Sequence, residues 1–186
     1  MGNTIYIEQH LKSKNNFVFA DGSYQEEELK EILYSSNGDF KNENELRDHV
    51  FDNLEEVLNE KIYLKQKEFN LPRKCSRAQC RCRADIVASS SFSDCRRFVI
   101  ECKLLKSHSI VELVQGIAQL QLYGMIYGTI TSTTPRLVLI CNKIDNYLIP
   151  FLKEFAPEVV VLIVNKKYII KCQIQNKNIP PQELFF

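Results

Sequence analysis

The sequence predicts an α/β domain with a mixed central sheet and flanking helices. Three observations lead there. Residues 135–141 and 158–164 are nearly unbroken apolar runs rich in Val, Leu and Ile, with the length of strands buried on both faces. Helical periodicity marks 42–61, where Leu46, Val50, Leu54, Val57 and Leu58 fall on one stripe, and again 110–124. The two kinds of segment follow one another as helix, three strands, helix, strand, helix and two strands, the order of a layered α/β domain.

Composition sets the outer limits. A chain of 186 residues, 45% hydrophobic, is one domain or one domain with a small appendage. The net charge of +1 says little as a total, because a nucleic-acid surface needs only clustered basic residues. No apolar run reaches the roughly 18 residues of a membrane span. Residues 1–6 lack the basic segment and apolar core of a signal peptide, and Tyr6 stands where a myristoylation signal wants Ser or Thr. The expectation is an intracellular, cytoplasmic chain without a membrane partner.

Residues 1–41 read as an arm or extension. It has a weak strand at 4–7, an apolar stretch at 17–19, and a short helix over 27–33 that Ser23 and Glu26 precede with capping-box spacing. No chemistry shows there, though the arm could supply a dimer contact. The domain proper runs over 42–174. In its first helix Glu43 lies on the inward face, one turn ahead of the apolar stripe, and Glu45 points away. Glu43 is equally a helix N-terminal acid that complements the dipole. His49 falls on the polar side and reads as solvated. Residues 62–69 form a strand of alternating character, broken at Pro72. The helix over 145–155 contains Pro150, a kink or register problem. Residues 168–174 pair as a hairpin with the strand before them, and 175–186 are a loose tail.

The chemistry gathers at the second and third strands. Asp85 precedes Ile86 and Val87, while Glu101 and Lys103 close the run from Phe98 to Ile100. Alternation puts Glu101 and Lys103 on one face and Cys102 on the other. The polar stretch 88–95 between the runs reads as a turn. The resulting hairpin can bring two carboxylates and one ammonium to one spot. Arg73, Lys74, Arg77, Arg81, Arg83, Arg96 and Arg97 surround it, as a solvated face or as contacts to phosphates. His108 follows in a loop within reach of phosphate.

Seven cysteines are many for such a chain. Cys102, Cys141 and Cys172 sit in apolar runs and read as small buried hydrophobes. Cys75, Cys80, Cys82 and Cys95 do not have the spacing of a zinc site. Thiols, a disulfide and a metal site all remain open for them.

Asp85 with Glu101-x-Lys103 resembles the active-site signature of the PD-(D/E)XK nuclease superfamily. Ala84 replaces the proline often found before the Asp. Gln119 and Tyr123, one helical turn apart after the Glu-x-Lys strand, resemble a motif of its RecB-like members, and the helix opening at Glu43 resembles their first core helix. Holliday-junction-resolvase-like proteins in the family have about this chain's size. The resemblance covers roughly residues 43–164. It implies a restriction-endonuclease-like αβββαβ core and a Mg²⁺-dependent deoxyribonuclease, with Mn²⁺ able to substitute. The metal ligands it implies are Asp85, Glu101, the Cys102 carbonyl and Glu43, with Lys103 as a further catalytic residue. Gln115, Gln119, Tyr123, Arg77, Arg81 and Arg83 would meet DNA, and a homodimer would cut two strands. An endonuclease on branched or duplex DNA is expected; the alternative is a non-catalytic DNA-binding protein on the same fold. The cysteine count and compactness suit an archaeal or archaeal-virus protein.

Overall fold

A computed structural model describes residues 6–13, 16–20, 40–72, 82–90, 96–106, 110–144, 148–164, 166 and 168–173. The helix expected over 27–33, Arg73, Lys74, Arg77, Arg81, Cys75, Cys80, Cys95, His108, residue 174 and the tail 175–186 lie outside them. In chain order the elements are β1 (Tyr6–Ser13), β2 (Asn16–Ala20), α1 (Glu43–Asp52), α2 (Leu54–Leu58), β3 (Ile62–Asn70), β4 (Arg83–Ser90) and β5 (Arg97–Lys103). Then come α3 (Ile110–Thr131), β6 (Arg136–Cys141), α4 (Leu148–Phe155), β7 (Val159–Val164) and β8 (Tyr168–Gln173).

The described strands form one sheet in the order β2-β1-β8-β7-β6-β5-β4-β3. Strands β5, β6 and β7 run parallel, and every other pairing is antiparallel. The sheet is therefore mixed. Its α1-β3-β4-β5-α3-β6 portion has the element order of a restriction-endonuclease-like αβββαβ core.

The sheet separates two cores. On one side Leu46, Val50, Leu54 and Val57 of α1 and α2 pack on Ile86, Ala88, Phe98, Ile100, Val138 and Ile140. On the other, Leu113, Ile117 and Leu120 of α3 and Leu148 and Leu152 of α4 cover Val87, Val99, Leu139 and Val161. Burial of each such side chain stabilises by about 1.5–3 kcal/mol. Gly124 lets α3 lie close on β6, since a Cβ there would overlap the Leu137 side chain.

Four expectations are corrected. The helix expected over 42–61 is two helices. Asn53 ends the first by placing its backbone N–H 3.1 Å and its side-chain Nδ2 2.8 Å from the His49 carbonyl oxygen. Asn59, in the left-handed region at φ 51°, ends the second. His49 is not solvated: it is half-buried, with its ring centroid 5.3 Å from that of Phe40. Strand β3 lacks the alternating burial expected of it, because it is the outermost strand and residues 63–67 are all exposed. Pro150 poses no register problem for α4 (Leu148–Phe155), since it falls in the first turn, where no backbone N–H is required.

Candidate active site

The site forms where the β4–β5 ladder stops. The two strands pair from Ser89↔Arg97 to Ile86↔Ile100. Continued by one residue, this register sets Asp85 opposite Glu101. The pleat breaks at the same place: Ala84 packs in the α3 core and Ile86 in the α1 core, although strict alternation would put both on one side. Beyond the ladder, the Cys102 backbone N–H donates to Asp85 Oδ2 at 2.8 Å. The Asp85 side chain thus takes a donor that the partner strand no longer satisfies.

Glu101 and Lys103 share a face of β5, and Lys103 Nζ lies 2.9 Å from Glu101 Oε1. The same ammonium is 3.4 Å from Glu43 Oε1, at the N-terminus of α1. Glu45 turns elsewhere: its carboxylate accepts from the Lys41 N–H at 2.6 Å and from Lys166 Nζ at 2.8 Å. Asn42 fixes this helix start by accepting the Glu45 N–H at 2.9 Å.

Burial governs the titration of these groups. It raises the Asp85 carboxyl above the usual range, against the pull of the Cys102 N–H, Lys103 and Arg47. Burial, reinforced by the Asp85 charge, pushes Glu101 up to about 7. For Lys103 burial favours the neutral amine, but Glu101, Glu43 and Asp85 outweigh it and the ammonium holds its proton more firmly than a free lysine. Burial raises the Cys102 thiol well above the usual range, so this cysteine stays protonated.

Helix α3 contributes unevenly. Tyr123 is buried, and its hydroxyl is raised by burial and then by the Glu101 charge. Gln119 is half-buried, with an Oε1 that has no hydrogen-bond partner. Gln115 is exposed to solvent. Arg83 is half-exposed and pairs with Glu68 at 3.4 Å. Cys82, Cys102 and Cys141 are buried thiols.

Four further residues shape the site without having stood out in the sequence. Arg47, with a side chain 12% exposed, lies 3.6 Å from Asp85 Oδ1 and 3.1 Å from Glu68 Oε1. Glu68 sits in the left-handed region at φ 54°, a conformation that costs a non-glycine residue about 1–3 kcal/mol. Gly116 faces the stem of Lys103: a Cβ there would stand 2.9 Å from Lys103 Cγ. Buried Asn142, just after β6, accepts the Leu105 N–H at 2.7 Å and ties down the chain that follows Lys103. Arg47 had a readable signal, being one turn after Glu43 on the same helix. Glu68 and Asn142 had none.

The donor set suits a small hard cation. Glu101 Oε2 is buried without a hydrogen-bond partner, and Asp85 Oδ1 faces Arg47 at more than hydrogen-bond distance. Two carboxylates are a common protein contribution to a Mg²⁺ site, the rest being water and substrate oxygen. Among the described residues no three acidic, histidine or cysteine side chains are already gathered as a metal cluster. Lys103 and Arg47 stand against the carboxylates instead.

No family model and no curated protein matches the chain. Among solved structures it is similar to the crystal structure of a repair endonuclease from Pyrococcus abyssi, with 14% identity and a TM-score of 0.42 over 68% of this chain and 48% of that one. The chain thus spans about half the length of that protein, and the likeness concerns the fold alone.

Proposed function

We propose that this chain is a Mg²⁺-dependent deoxyribonuclease, with Mn²⁺ able to substitute, that hydrolyses DNA phosphodiester bonds. The observation that carries the reading is the convergence of Asp85, Glu101, Lys103 and Glu43 from two strands and a helix. Asp85 Oδ1, Glu101 Oε2 and the Cys102 carbonyl would hold the ion, with Glu43 reaching it through water. Such an ion polarises a phosphate oxygen and lowers the pKa of a bound water. Lys103 stays charged and therefore acts as a donor: it orients the attacking water and offsets charge growing on the phosphoryl oxygens. Tyr123 and Gln119 would flank the strand, with Gln115 and Arg83 further out on the DNA, and Arg77 and Arg81 would add phosphate contacts. The mode is endonucleolytic, on duplex or branched DNA, and a two-fold dimer would present two such sites.

A second reading is a DNA-binding protein in which the cluster is a structural ion network. It is favoured by the cations already standing against the carboxylates. The deciding experiment offers labelled linear, single-stranded, forked and four-way-junction DNA with Mg²⁺, Mn²⁺ or chelator. Metal-dependent cleavage of any of them supports the nuclease. Binding without cleavage in every case supports the second reading.

A further inference from the structure

Of the two Asp85 oxygens, the one without a hydrogen bond is the readier ligand for a cation. Oδ2 accepts the Cys102 N–H at 2.8 Å, and Oδ1 faces Arg47 Nη1 at 3.6 Å. Arg47 rises from α1 with its Nε buried and without a hydrogen-bond partner. An ion on Oδ1 and a guanidinium facing the same oxygen repel each other strongly where little water intervenes.

Glu68 offers the guanidinium another place. Its Oε1 is the nearer acceptor, at 3.1 Å from Arg47 Nη1. Pairs Lys67↔Ile86 and Phe69↔Ala84 flank Glu68 in the β3–β4 ladder, so it stands opposite Asp85. Its φ of 54° is unfavourable for a glutamate and is held by those two pairs. Arg83 Nη2 reaches the same Oε1 at 3.4 Å, and Lys67 Nζ holds Asp48 at 2.7 Å, so the network continues along the strand edge.

We propose that Arg47 is a placeholder cation shared by Asp85 and Glu68: in the metal-free protein its guanidinium pairs with Glu68 Oε1 while also facing Asp85 Oδ1, and it gives up Asp85 and keeps Glu68 when a hard divalent cation binds. This rests on the reading of Asp85 and Glu101 as metal ligands. Glu68 then sets the metal affinity without touching the metal, and both residues are positioning residues.

The test is calorimetric titration of Mn²⁺ into the full chain, without DNA. Glu68→Gln keeps the side-chain shape, leaves Arg47 with Asp85 and the more distant Asp48, 4.0 Å from its Nε, and should weaken Mn²⁺ binding about tenfold; Arg47→Met should tighten it by about as much. With Arg47→Met already present, Glu68→Gln should change the affinity less than about twofold. A Glu68→Gln loss that persists at full size without Arg47 would make Glu68 a direct ligand and overturn the proposal. An unchanged affinity in Glu68→Gln overturns it too, and that arm decides the matter if Arg47→Met does not fold. Absence of Mn²⁺ binding by the wild type overturns the proposal together with the metal site. The expected affinity order without DNA cleavage supports the proposal and removes the nuclease reading alone.

Discussion

The carbon that Gly116 lacks would stand 2.9 Å from Cγ of Lys103 and 3.4 Å from its Cε. The aliphatic stem of the lysine runs across the bare backbone of α3, and that contact aims the ammonium at Glu101 and Glu43. Leu139 Cδ1, 3.2 Å from the same point, closes the other side, so a methyl group at 116 has little room to be accommodated. Gly116→Ala should displace the ammonium while leaving Asp85 and Glu101 in place. Cleavage should fall about 10- to 100-fold, because misplacing a reacting group by about an ångström costs that much. DNA affinity should stay within about twofold in a filter-binding or anisotropy titration. Combined with Lys103→Ala, the Gly116→Ala loss should vanish. An additive loss would mean that Gly116 acts through something other than Lys103.

Lys103→Ala alone should lower the cleavage rate about a hundred- to a thousandfold and leave DNA binding nearly unchanged, since a donor aimed at developing charge acts on the transition state. Raising the pH should not restore the variant, because no base has been lost. Comparing single-turnover cleavage rates with equilibrium binding separates the two effects. A variant that loses binding in step with cleavage would place Lys103 among ground-state phosphate contacts.

Glu101 gives the metal-free protein a pH signature. Its carboxyl moves from the usual 4.5 up to about 7, driven by burial and then by the Asp85 charge. A raised folded-state value means that the folded protein binds the proton more tightly than the unfolded chain. Its stabilising effect is complete below pH 4.5 and is lost as pH rises through about 7. Asp85, also raised, acts in the same direction. Denaturant unfolding in chelator should show stability falling over this window. In Glu101→Gln the part of the decline due to Glu101 should be missing. Unchanged pH dependence in the variant would show that Glu101 is not the group responsible.

The order of elements was legible because it rests on period. The runs at β6 and β7 have the length and β-branched composition of buried strands, and the stripe from Leu46 to Leu58 marks a helical face turned to a core. Alternation also put Glu101 and Lys103 on one face. What stayed hidden depends on contacts far apart in sequence. The break between α1 and α2 comes from one asparagine that bonds back to His49, an outcome the apolar stripe does not register. The even exposure of β3 follows from its place at the sheet edge, which strand propensity does not encode. Gly116 and Asn142 matter through the residues they meet, Lys103 and Leu105, and no local pattern marks such partners.

Asp85→Asn separates the two readings of the cluster. The amide keeps the shape of the side chain and an oxygen that can still accept the Cys102 N–H, so the local backbone arrangement should persist. If the cluster is a structural ion network, Arg47 loses the Asp85 carboxylate it faces at 3.6 Å, and the protein should be destabilised at pH 8. If the carboxylate serves a metal, the balance runs the other way. Burial raises its pKa, which means that the charged form is disfavoured in the folded protein without an ion. A neutral isostere should then raise the melting temperature in chelator, remove the stabilisation that Mn²⁺ gives the wild type, and abolish cleavage. Thermal unfolding of both proteins, with Mn²⁺ and with chelator, reads all of these except cleavage. A less stable variant, together with a wild type indifferent to Mn²⁺, would leave the ion network as the explanation of the site.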